Sequence, residues 1–203
     1  MSKAGNLGSA MSYQIRLMGD PVLRQTAASI EDIDGRIAKM VEDMVPAMYQ
    51  AEGIGLAAPQ VGIQKRLFVY DIGEGPETLV NPEIVDSDGE WSFHEGCLSV
   101  PGLSFEIIRP KEVHLVGRDL DGNEVSIEAD ELLARLFQHE LDHLDGVLLL
   151  DHLERDDRKA ALRQWRDIPA CEAMRHFDPP HLHVEPRVDG ARLAHRECPV
   201  VQC

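Results

Sequence analysis

The segment His139-Glu140-Leu141-Asp142-His143 carries the strongest chemical signal in this 203-residue sequence. On a helix, positions i and i+4 lie on one face. Two imidazoles so placed can grip one divalent cation, with Glu140 beside its open side. A carboxylate there can take a proton from water activated by the ion and return it to a leaving group. Leu136, Phe137 and Leu141 put the segment on a partly buried helix, where unliganded histidines would be costly.

Such a site needs a third protein ligand. Leu149 stands where the extended protease pattern requires another His, Glu154 is close in sequence, and Glu172 falls in the C-terminal stretch. The only thiol between residues 12 and 168 is Cys97, within Glu95-Gly96-Cys97-Leu98-Ser99. A thiolate, two imidazoles and one open position make a sound hydrolytic centre; the alternative for Cys97 is an ordinary buried thiol. A third segment runs Gly53-Ile54-Gly55-Leu56-Ala57-Ala58-Pro59-Gln60. Its glycines let a peptide backbone approach closely, and the Gln60 amide can donate to a developing oxyanion. The plainer reading is a glycine pair that ends a helix before a turn. The segment lacks the Lys-Ser/Thr ending of a phosphate loop.

The elements that must hold these residues follow from periodicity. Ser29 with Asp32 resembles a capping box, and Ile33, Ile37, Met40, Met44 and Met48 then recur at helical steps. Pro46 should kink or shorten that helix, and Gly53 and Gly55 should stop it. Strands are expected at Leu67–Tyr70 and Thr78–Val85. Two more, at Lys111–Arg118 and Glu124–Ile127, flank an Asp121-Gly122 turn. Asp130 can cap a second helix that carries Leu132, Leu133, Leu136, Phe137 and Leu141, with Gly146 at its stop. Val147–Leu150 reads as a short strand or turn, and Asp151–Trp165 as a charged final helix. The expected class is α+β, with mainly antiparallel sheets packed around a central metal-binding helix and a C-terminal helix.

Acidic residues outnumber basic ones by 36 to 20, a net charge of −16. Residues 12–168 hold 31 acids and 15 bases, so the whole excess sits there. That balance opposes binding to DNA or to an anionic membrane surface. A hydrophobic share of 43% excludes wholesale disorder. No apolar run reaches the roughly 20 residues of a membrane helix, and Met1–Ala10 has no signal-peptide pattern. A cytoplasmic protein is expected. Three parts are expected: a lead-in at 1–11, a catalytic domain at 12–168 and a loose tail at 169–203. The tail holds scattered His181, His183, His195, Cys198 and Cys203, whose spacing matches no metal motif.

Taken together, GIGLAAPQ (53–60), EGCLS (95–99) and QHELDHLDG (138–146) resemble, in order, the three signature segments of peptide deformylases. The resemblance extends from about Leu17 to about Trp165. The short path from Val80 to Glu95 and the helical ending are similar to the type I bacterial and organellar branch. It implies Cys97, His139 and His143 as metal ligands and Glu140 as general acid/base. It implies Gln60 and the Leu98 N–H as oxyanion donors, and Ile54, Gly55 and Gly96 as residues that hold the substrate backbone in a strand-like pose. The implied reaction removes the formyl group from N-terminal formylmethionine of nascent chains and releases formate. Fe(II) is the implied cofactor, with Zn(II), Ni(II) or Co(II) compatible with the same donors. Ile54, Phe93, Leu132 and Leu136 are candidates for the methionine pocket, and the stem of Arg135 for its rim.

A monomer is expected. Transient ribosome contact is implied through Arg155, Arg158, Lys159, Arg163 and Arg166, although Asp156, Asp157 and Asp167 interleave with them. The principal alternative is a metallopeptidase that uses only the HELDH helix. A non-catalytic binding relative is a third reading, which the presence of Glu140 and Gln60 opposes.

Overall fold

The first helix, α1 (Gly35–Gln50), begins where the Asp34 carboxylate accepts the N–H groups of Arg36 and Ile37, at 2.9 and 3.2 Å. Asp34, not the expected Ser29–Asp32 pair, is therefore its cap. Pro46 lies inside the helix without ending it. The stripe of Ile37, Met40, Met44 and Met48 buries continuously past it, and this outweighs the one lost backbone hydrogen bond. The computed structural model describes residues 13–168 and 201–202. The expectations for Met1–Met11 and for the tail histidines and cysteines lie outside the described residues.

The larger sheet has the order β1 (Gly55–Ala57), β2 (Leu67–Tyr70), β3 (Glu77–Asp88), β6 (Glu112–Arg118), β7 (Glu124–Asp130), antiparallel throughout. Its β6–β7 hairpin turns at Asp121-Gly122 as expected, with Gly122 at φ +85°. β2 is buried on both faces, which is why it reads as an unbroken apolar run. Leu67 and Val69 join the α1 core. Phe68 and Tyr70 join the core of α2 (Glu131–Leu144), where both rings meet Phe137 at 5.9 and 5.3 Å. The two helices thus cover opposite faces of the sheet.

A second sheet pairs β4 (Trp91–Gly96) antiparallel with β5 (Ser104–Arg109). Its other edge carries β8 (Val201–Gln202), parallel to β4. Neither the hairpin nor a strand in the tail is expected from the sequence pattern. In the hairpin, Glu95 and Arg109 are buried with Ile107, so charged residues occupy the inward positions and hide the alternation.

Gly146 ends α2 at φ +75°. A Cβ there would lie 2.8 Å from the Arg24 carbonyl carbon. The next residues make no strand: Leu149–His152 is a 3-10 turn, and the final helix α3 spans Arg155–Asp167 rather than starting at Asp151. Asp151 instead accepts the Leu148 N–H at 2.8 Å and pairs with Arg24 and Arg158. Among the described residues, no helix is long and apolar enough to cross a membrane.

Candidate active site

Three elements converge on one buried point. β4 delivers Cys97 just beyond its end, α2 delivers His139 and His143 one turn apart, and β1 with the turn after it delivers Gly55 and Gln60. One ligand atom from each of Cys97, His139 and His143 lies within 4.8 Å of the others. The Cys97 Sγ is 3.2 Å from His143 Nε2. All three side chains are at most 3% exposed.

A buried carboxylate to which the sequence alone assigns no role sets the orientation of His139. Glu95 is fully buried. Its Oε2 lies 3.0 Å from His139 Nδ1 and accepts that hydrogen bond. The other ring nitrogen, His139 Nε2, is then left buried with no hydrogen-bond partner among the described residues. A buried imidazole nitrogen without a partner is costly unless a ligand meets it. An orphaned imidazole beside a thiol and a second imidazole suits a divalent transition metal, and the histidine–carboxylate contact is the usual support for such a ligand.

Glu95 also receives Arg109 Nε at 2.7 Å, Arg109 Nη2 at 3.0 Å and Arg135 Nη1 at 2.6 Å. Burial pushes its pKa up, but the hydrogen bonds from His139 and Arg109 outweigh this and hold it well below the usual carboxylate range. Arg135 is therefore no rim residue. It is fully buried, donates also to the Ile107 carbonyl at 2.8 Å, and stacks over Trp91 at 5.2 Å. Arg109 continues to Asp142 at 2.8 Å, and Asp142 to the exposed His152 at 2.6 Å. The signal for this network was present in the sequence, as a Glu two residues before Cys97 and an Arg inside each of two apolar segments. The residue types alone pointed to solvated surface.

Burial pulls the pKa of His143 well below its ordinary value, and the neighbouring His139 adds to this, so its ring is neutral at neutral pH, as a ligand must be. Burial pushes the Cys97 thiol far up, and the charge of Glu140 adds to it.

Glu140 is fully buried beside Gly55. A Cβ on Gly55 would meet the Glu140 side chain, with its carboxyl carbon at 3.0 Å. Gln60 is fully buried and its amide is fixed. Its Oε1 accepts the Ala57 N–H at 2.8 Å, and its Nε2 points to Ser99 Oγ at 3.3 Å and towards Cys97 Sγ at 4.0 Å. Leu98 follows the thiol and is 5% exposed. Of the pocket candidates, Ile54 and Phe93 are half-buried against the α2 core and Leu132 is exposed. Leu136 is fully buried in that core.

The profile of the polypeptide deformylase family matches residues 12–159. Curated peptide deformylases from Agathobacter rectalis and Clostridium botulinum are 50% and 51% identical over 140 and 137 residues. These alignments cover 69% and 68% of this chain, and 89% and 93% of the relatives. The crystal structure of a peptide deformylase from Legionella pneumophila superposes with a TM-score of 0.74 at 40% identity, covering 76% of this chain and 94% of that one. A peptide deformylase from Ehrlichia chaffeensis, solved in complex with actinonin, gives 0.73 at 37% identity over 75% of this chain and 95% of that one.

Proposed function

The chain belongs to the peptide deformylase family, a metal-dependent hydrolase that removes the formyl group from N-terminal formylmethionine of new polypeptides, and from that premise we propose how its own residues divide the work. Cys97, His139 and His143 would hold one divalent ion, and Fe(II) is the native metal we assign, with Zn(II), Ni(II) or Co(II) able to replace it. The carrying observation is the buried Nε2 of His139, without a hydrogen-bond partner among the described residues, beside Cys97 and His143. When bound, the ion supplies Lewis acidity towards water and the formyl oxygen.

Glu140 takes the proton from the attacking water and later delivers it to the departing amine. Gln60 Nε2 and the Leu98 N–H donate to the oxyanion as the formyl carbon becomes tetrahedral. The fixed Gln60 amide supports this role, because its carbonyl side is already committed to Ala57. Ile54, Gly55 and Gly96 pair with the substrate backbone, which is extended beside β1 and β4. Ile54, Phe93 and Leu132 receive the methionine side chain, with Leu136 as buried support. The domain at 12–168 acts as a cytoplasmic monomer, and any ribosome contact is transient and local to α3.

The test is elemental analysis beside formate release from formyl-Met-Ala, assayed anaerobically for wild type and Glu140→Ala. The variant is expected to keep its metal and lose turnover by at least ~100-fold. Full activity in the variant would overturn the assignment of Glu140. A Cys97→Ala protein that keeps metal and activity would instead favour a peptidase-like site built on the helix alone.

A further inference from the structure

β4 presents one edge to β5 and the other to β8, which pairs Val201 with Glu95 and Gln202 with Gly96. Gly96 is the residue assigned above to the substrate backbone, and Cys97 follows it directly. We propose that the C-terminal segment around Val201–Gln202 docks on the substrate-binding edge of β4 and competes with the formylated peptide. This inference rests on the assignment of Gly96 to the substrate.

Chain direction makes the segment an inhibitor and not a substrate. A formylated N-terminus must point at the three-ligand cluster, so a substrate on this edge starts near Cys97 and runs back along β4. β8 is parallel to β4, so it advances towards Cys97 as β4 does. It therefore uses the backbone groups of the edge in the direction opposite to a substrate and presents no formylated N-terminus to the ligands. Strand addition of this kind gains most of its affinity from main-chain hydrogen bonds and so demands little of side chains. A two-residue ladder is weak alone. Tethering raises its local concentration to the order of mM, which suits a contact that substrate can displace. β8 also lies outside residues 12–159, the span shared with the family, so the device belongs to this chain and not to the common catalytic core.

The experiment compares the full chain with a variant lacking residues 200–203 and with the double variant Val201→Pro/Gln202→Pro, all at matched metal content. Proline removes the N–H groups that a strand edge needs. Kinetics with formyl-Met-Ala should show KM falling at least ~3-fold in both variants, with kcat unchanged. An acetylated, amidated Pro199–Gln202 peptide, which carries neither thiol nor free carboxylate, should inhibit the truncated enzyme competitively. Amide hydrogen exchange across residues 93–98 should be faster in both variants.

Unchanged or raised KM overturns the competition even where exchange quickens, and unchanged exchange overturns the docking itself. Absence of any turnover in the metal-loaded full chain and in the truncated chain would count against the functional reading instead. In that case the exchange comparison still decides whether the strand docks.

Discussion

Glu95 Oε2 and His139 Nδ1 lie 3.0 Å apart, and that contact leaves only Nε2 of the imidazole to face Cys97 and His143. Glu95 is meanwhile the shared counter-charge of two buried guanidinium groups. Glu95→Gln keeps the shape and removes the charge. It is expected to lower metal affinity ~10–100-fold and to destabilise the fold by about 3–5 kcal/mol. Chelator competition and urea unfolding read the two effects separately. Unchanged affinity would mean that Glu95 only holds the arginines.

Gly55 has a steric role that can be isolated. An added Cβ would press on the Glu140 carboxyl group, whereas Gly55 itself is not among the proposed ligands Cys97, His139 and His143. Gly55→Ala should therefore cut kcat by ~10–100-fold with metal content intact. Normal kcat in this variant would show that Glu140 has room to move without loss of function.

Gln60 is tied by its carbonyl oxygen to Ala57 and offers its amino group to the site. Gln60→Ala should retain metal and lose about 10²–10³ in kcat, the usual cost of removing one oxyanion donor. A change confined to KM would place Gln60 in substrate binding alone.

Asp151 links the turn after α2 to Arg24 and Arg158. Burial raises its pKa, but the hydrogen bonds from Arg24 and the Leu148 N–H lower it further, so its folded value lies below the ordinary one. A depressed carboxylate contributes stability above its unfolded pKa of about 3.9 and loses it as pH falls through the folded value. Asp151→Ala should cost about 1 kcal/mol at neutral pH. The gap to wild type should narrow as pH drops below about 4. Urea unfolding at several pH values tests this, and a constant gap would assign the effect to packing.

Much of the site was legible because its residues obey local rules. His139 and His143 announce themselves by i, i+4 spacing on an apolar helix, and Cys97 by being the sole thiol of its stretch. Both helices around the larger sheet and its central strands follow apolar period, and Asp121-Gly122 marks its hairpin. The Glu95–Arg109–Arg135 cluster was not legible. Its members lie 14 and 40 residues from Glu95, and a charged residue reads as exposed until its partner is known. The same cluster concealed the β4–β5 hairpin, because inward Glu and Arg break the apolar alternation. The Asp34 cap and the uninterrupted passage of α1 through Pro46 were decided by carboxylate reach and by burial. β8 could not be foreseen, since its pairing depends on a free edge and not on a pattern in the tail.

The arginine pair around Glu95 has one more consequence. Cys97 and the two histidines come from separate elements, so assembling them requires closure of a long loop, an entropic cost that some interaction must offset. Here Arg135 from α2 and Arg109 from β5 grip the same carboxylate on β4, two residues ahead of Cys97. The helix and the hairpin are thus latched together by the protein's own charges. The proposed metal cradle is therefore expected to be preorganised, so that loading an ion resembles insertion into a finished socket rather than folding around a template.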